Sequence, residues 1–452
     1  MPAGEADEDY RSTAHLGRAA RDAHGQGAHY YHLDGLRGTF MLVGVFVHVS
    51  TLGHDRVFHG IAFASGLFRM QGFFLISGFL SAMLVGKYGA ARTVRRRFAA
   101  VGTPLVCTFV LFNPPTLWMT YNFHNDPNIS FQDFLRGRTI PHPEGELHWP
   151  LHLWFLISLL CYVLCTPPAV MLLTRLVRLP LYQRATVSRS PAMAVIVLGV
   201  LAFTIVLHGF RRAVAEPVLG TGAVGEIARM TLQHLPFYCL GLLLYLDRRR
   251  LLAHFQRPAP ILLVASGLVV LAGNRGWIAQ AGYGTGQVLS ETVFSTALVS
   301  ALLALGARLV PGPRAWVSYL ADSAYTVYLF HFFWIYIVAN LLGLDTSLAW
   351  PQMLLVTALV IGITLAIHQF VIARSAFLRT MFNGKFPARK GDARPASRHA
   401  RRPVADAARP TPHDDPENTL PLSILRPLPT PDPTADSWAD AERTQQLRWL
   451  PW

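Results

Sequence analysis

Ten apolar runs punctuate this chain, each with at most one charge and each long enough to cross, or nearly cross, a hydrocarbon layer about 30 Å thick. They cover residues 38–53, 70–86, 98–121, 151–174, 191–210, 230–246, 260–273, 292–307, 315–342 and 352–373. Lipid offers the backbone no hydrogen-bond partner, so runs of this kind fold as helices. Those starting at 38, 260 and 292 are short for a span and are expected to recruit flanking residues. Over the whole chain 52% of residues are hydrophobic and 15% charged, against roughly 25% charged in a soluble domain. The expectation is an all-α, polytopic membrane protein of about ten transmembrane helices.

An even number of spans puts both termini on one side, and loop charge says which. Fifteen Lys and Arg residues fall in one set of loops, among them Lys87, Arg92, Arg95, Arg96, Arg97 and the run Arg248, Arg249, Arg250; the opposite set holds eight. By the positive-inside rule the basic loops and both termini are cytoplasmic. This predicts a multi-pass protein of the inner (cytoplasmic) membrane, with the lipid bilayer as its first partner. The formal charge of +14 then needs no nucleic acid to explain it, and no basic groove interleaved with aromatics is visible.

Residues 1–28 lack the apolar stretch of a cleavable signal, so the first span is expected to direct insertion. Residues 1–29 read as a disordered cytoplasmic segment, 30–384 as the transmembrane domain, and 385–452, rich in Pro and Arg, as a disordered cytoplasmic tail ending in RWLPW. Cys107, Cys161, Cys165 and Cys239 all fall inside spans without metal-ligand spacing. They read as small buried residues, and no metal site is expected.

The first span opens with HLDGLRGTFMLVGVFVHVS. Arg37 and His48 are eleven residues apart, which on an unbroken helix is close to three turns, or about 16 Å along one face. Asp34 lies near the same stripe. An imidazole near the bilayer midplane is costly against lipid, so His48 should face a protein interior or wet cavity, either in a functional role or bonded to a neighbouring helix. His331, in SAYTVYLFHFF, sits at similar depth with Tyr328 one turn before it, whereas Asp322 is half a turn off its face. Arg69 and Gln71 fall at the periplasmic end of the second span. For Arg69 the headgroup region is the first expectation, with a donor carboxylate or a glycan as alternatives. Ser77 and Gly78 are small enough for close helix packing. His148, Trp149, His152 and Trp154 mark the periplasmic entry of the fourth span, as an aromatic belt or a sugar-facing platform.

LDGLRG followed by a histidine, then FRMQGFFLISGFL, then a basic run ending at Pro104, together with HLWFL and YTVYLFH, resembles the membrane-integral acyltransferase 3 family, in particular its branch that modifies periplasmic glucans. The match covers roughly residues 30–377. The resemblance implies a bundle of about ten helices that transfers an acyl group from cytoplasmic acyl-CoA to a carbohydrate hydroxyl, with succinyl-CoA the donor and a periplasmic β-glucan the acceptor in that branch. His48 then matches the family's essential histidine, and Asp34 and Arg37 its acidic and basic pair. One departure stands out: the family places two arginines three apart before the proline, and here Arg97 is followed by Ala100.

The chemistry suits these positions. A sugar hydroxyl is weakly acidic, and an imidazole base contributes roughly 10²–10⁴-fold; a covalent acyl-histidine is the alternative. Arg37 with Arg95, Arg96 and Arg97 would hold the donor's phosphates, while Arg69, Gln71, His152, Trp154 and His331 are candidate contacts for acceptor or acyl group. No permanently bound cofactor is expected. Other glucan-biosynthesis proteins are candidate partners. An O-acetyltransferase acting on lipopolysaccharide or exopolysaccharide with acetyl-CoA, a glycan transporter and a non-catalytic scaffold are the competing classes, which fold alone does not separate.

Overall fold

The computed structural model describes residues 30–386 apart from 125–127, 138–148, 221 and 279–282. The expected terminal segments, 1–29 and the tail beyond Phe386, lie outside the described residues, as does His148. The structure is 85% helical, and no strand occurs among the described residues. Its main helices are α1 (Tyr31–Val49), α2 (Arg56–Gly66), α3 (Arg69–Tyr88), α4 (Ala90–Leu111), α5 (Asn113–His124), α6 (Trp154–Arg178), α7 (Arg189–Phe210), α8 (Ala223–Leu246), α9 (Pro260–Asn274), α10 (Tyr283–Leu309), α11 (Ala315–Leu341), α12 (Trp350–Ile367) and α13 (Ala376–Asn383).

Among the described residues seven stretches are long and apolar enough to cross a membrane, and nine if two bent pairs each count as one span. One pair is α4 and α5, which meet at 51°. Pro114 and Pro115 have no N–H to donate, so the helix cannot run through Asn113 unbroken. The other pair joins the 248–255 segment to α9 at 59°. The run expected at 230–246 lies within α8, whose first half, 223–234, carries Glu226, Arg229, Gln233 and His234 and so lowers the hydropathy of the helix.

Small residues set the closest contact in the bundle. Gly78 of α3 lies on the backbone of Tyr238 in α8, and Gly241 of α8 on that of Leu75 in α3, so the two helices meet main chain to main chain. Hydroxyls tie α6 to the same seam: Tyr238 donates to Ser81 at 2.8 Å, and Thr166 and Tyr238 share a 2.7 Å bond. On the other flank α11 packs between α1 and α12, burying Val327, Ile335, Tyr336 and Val338 against Val45 and Val49. The cysteines depart from expectation. Cys161 and Cys165 are exposed on the outer face of α6, and Cys107 and Cys239 are partly buried, all four as free thiols.

Candidate active site

α1 is a continuous helix, so Asp34, Arg37 and His48 do share its inner stripe. At the start of the stripe Asp34 pairs with Arg37 at 3.6 Å. Arg37 is 6% exposed, and the Asp322 carboxylate of α11 also lies within its electrostatic range. Three turns on, His48 meets two other imidazoles. Its ring centroid is 5.1 Å from that of His331 and 6.2 Å from that of His152, and the last two are 5.1 Å apart. Phe332 stacks on His152 at 5.2 Å and meets His48 edge-on at 5.1 Å.

The hydrogen bonds fix one tautomer. His331 Nδ1 lies 3.0 Å from the Val327 carbonyl and 2.7 Å from that of Tyr328. Carbonyls only accept, so Nδ1 carries the proton and Nε2 presents a lone pair. That Nε2 is buried without a partner among the described residues, as are both ring nitrogens of His152.

His152 reaches this depth through a kinked entry. It lies in a 3₁₀ turn over Leu151–Leu153, where Leu151 takes φ 44°, the only non-glycine with positive φ among the described residues. A leucine there is strained. The Tyr328 hydroxyl holds the turn by donating to the His152 carbonyl at 2.7 Å. His152 is therefore part of the buried centre, which corrects its placement in an interfacial belt.

Between these groups lies a cavity of about 50 Å³, room for a few waters or a short chain. Its walls are Phe40, Met41, Met70, Phe73, Trp154 and Phe155, and its polar groups are His48, His152, His331, Tyr328 and Arg69. Arg69 is thus not a headgroup anchor. Its Nη1 is seated on Gly44 of α1, one turn before His48. Gln71 points elsewhere: two residues on is about 200° around a helix. Its Nε2 donates to the Gly66 carbonyl at 3.0 Å while Oε1 has no partner among the described residues. No carboxylate lines the cavity, and no cluster that could hold a metal occurs among the described residues.

At the charged end the three arginines before Pro104 divide. Arg95 is exposed and Arg96 lies over the Tyr88 ring at 4.8 Å. Arg97 is 3% exposed, within electrostatic range of Arg37 and Tyr238, with Nε and Nη1 unpartnered among the described residues. Ala100 is buried, and Gly384, in the left-handed region at φ 60°, closes α13 directly over its backbone.

Against known proteins, the acyltransferase domain model of the acyltransferase 3 family matches residues 30–369. The chain belongs to the acyltransferase 3 family. This acyltransferase is similar to glucans biosynthesis protein C of Escherichia coli K12, 28% identical over 387 residues that cover 78% of this chain and 94% of the relative. The same-named protein of Shigella dysenteriae serotype 1 is 27% identical over 390 residues, 78% of this chain and 94% of the relative. That of Salmonella schwarzengrund is 26% identical over 401 residues, 80% and 96%. No solved structure matches the chain.

One residue lining the acyltransferase's cavity and one packed behind the lining escape a reading of the sequence. Gly44 is one, although its i, i+4 spacing from His48 is a usable signal. His234 is the other. It stacks behind Trp154 at 5.8 Å and Phe74 at 5.2 Å, with Nδ1 2.8 Å from the Met230 carbonyl; nothing local in α8 marks it.

Proposed function

We propose that this acyltransferase moves a succinyl group from cytoplasmic succinyl-CoA to a hydroxyl of a periplasmic glucan across the inner membrane. One observation carries the reading. A charged end with two buried arginines, Arg37 and Arg97, beside Asp34 and Asp322, and a histidine-lined cavity (His48, His152, His331) occupy two levels of one helix bundle, joined by the inner stripe of α1. Phosphates of a thioester donor pair with the first level, and the thioester reaches the second. The acceptor enters from the far side. His48 takes the proton of the attacking hydroxyl as its oxygen bonds to the thioester carbon. The C–S bond then breaks, and the proton passes to the departing thiolate, leaving ester and CoA thiol. A proton acceptor placed in this way contributes about 10²–10⁴-fold.

The similarity to proteins named for glucan biosynthesis supports the acceptor class. The test is mass spectrometry of periplasmic and surface glycans from cells expressing wild type, His48→Ala at equal membrane levels, or neither. A mass increment of one succinyl group on glucan, present only with wild type, is expected. An acetyl increment on lipopolysaccharide or exopolysaccharide would replace the donor and acceptor. An unchanged increment with the alanine variant would remove His48 from the reaction.

A further inference from the structure

Among the described residues Arg69 is the one full charge lining the cavity. Gly44 gives its guanidinium a slot: a Cβ at that position would collide with Nη1. Nε is closed off from the surface without a hydrogen-bond partner, and Arg69 enters no ion pair among the described residues. Around it stand six apolar walls, three imidazoles and the phenol of Tyr328, all within the same small space.

Arg69 is partly buried, and a cation partly drawn out of water is costly to hold unless an anion meets it. Among the described residues the cavity offers none, so an anion that enters with a ligand supplies the compensating charge. A developing oxyanion would supply it only for the instant of transfer, leaving the bound donor uncompensated. An acyl chain with a terminal carboxylate supplies it throughout, and a guanidinium binds a carboxylate through two parallel, charge-assisted hydrogen bonds. The volume adds a second constraint. About 50 Å³ lined by Phe40, Met41 and Phe73 leaves room for a short chain beside Arg69.

We infer that Arg69 is the receptor for the terminal carboxylate of the transferred acyl group, so that the enzyme selects a short dicarboxylic thioester over a neutral one of equal length. The inference rests on the donor reading above and deepens it by assigning acyl specificity to one residue. It also gives Gly44 its reason: the glycine keeps the guanidinium beside His48.

The test compares succinyl-CoA with butyryl-CoA, which carries a methyl group where succinyl has its carboxylate, in direct binding to the purified full chain in nanodiscs. Wild type, Arg69→Met and Arg69→Lys are used. Wild type is expected to bind succinyl-CoA at least tenfold more tightly. Arg69→Met should lose that preference while binding butyryl-CoA within about threefold of wild type, and Arg69→Lys should keep part of it. The unchanged butyryl-CoA affinity shows that the variant is folded. If wild type binds both esters equally, or if Arg69→Met weakens both to the same degree, Arg69 does not read the carboxylate and the inference falls alone. If neither ester nor free CoA binds wild type, the donor reading falls with it.

Discussion

The α3–α8 seam makes a quantitative prediction about what holds the cavity in place. A Cβ added at Gly241 would lie 2.8 Å from the Leu75 carbonyl carbon and 2.9 Å from the Phe79 nitrogen, with the Leu75 oxygen nearer still; at Gly78 it would lie 3.0 Å from the Tyr238 carbonyl carbon. Ordinary contact begins at 3.4 Å, so the carbonyl carbon alone requires the seam to open by 3.4 − 2.8 = 0.6 Å, and the nearer Leu75 oxygen requires more. Main chain cannot swing aside as a side chain can. A gap of that size forfeits between a quarter and a half of the dispersion energy of the atoms involved. Overpacking of this kind costs about 1–3 kcal/mol. Each alanine alone should therefore destabilise the protein by that amount. The double variant should cost less than the sum, because the separation forced by one methyl makes room for the other. Gly60→Ala is the control: nothing lies within 4 Å of its added Cβ, and removing a helix-interior glycine is worth about 0.5–1 kcal/mol of added stability. Unfolding in mixed detergent micelles measures all four variants. A Gly241→Ala variant as stable as wild type, or a double variant whose cost is the plain sum, would refute the backbone-contact argument.

Two further predictions concern the reaction. His331→Asn keeps an N–H for the Val327 and Tyr328 carbonyls but lacks the Nε2 lone pair, so kcat should fall by roughly 10²-fold at unchanged donor KM; near-normal turnover would reduce His331 to a packing role. At the charged end, Arg97→Gln should raise the donor KM at least tenfold as a buried charged contact is lost, whereas exposed Arg95→Gln should change it less than about threefold. Steady-state kinetics on both separates the two arginines, and equal effects would mean that burial does not select the phosphate contact.

Much of the bundle is legible in the sequence because hydropathy reports depth, and depth is what a bilayer imposes. The α1 stripe is legible for a second reason. An unbroken helix converts the spacing of Asp34, Arg37 and His48 into a common face. What stays hidden is azimuth and any departure from the straight path. Arg69 at a helix start reads as an interfacial anchor, and only the slot at Gly44, on a different helix, shows that it turns inward. His152 reads as belt because its neighbours are tryptophans; the strained Leu151 turn that carries it inside has no signature in residue type. In α8 the polar first half looks like a span boundary, yet His234 is 4% exposed, since its neighbours Phe74 and Trp154 come from α3 and α6.

The two polar levels of the bundle follow from one packing relation. α1 and α11 run in the same direction, since Arg37 is near Asp322 at one level and His48 is near His331 at the other. Arg37 to His48 is eleven residues and Asp322 to His331 is nine, so at ~1.5 Å per residue the levels are separated by roughly 13–16 Å on both helices. Gly38 fixes the register by admitting the Leu320 side chain against α1; a shift of one turn would carry Asp322 away from Arg37 and His331 away from His48 together. This is why Asp322 does not partner His331 despite their closeness in sequence: each belongs to a different level. On the side of the cavity towards the charged level the wall is Phe40 and Met41 on α1 with Phe73 on α3, too apolar to stabilise a phosphate. The proposed coenzyme A thioester is anionic at one end, uncharged in the middle and reactive at the far end, and so matches these two levels in order.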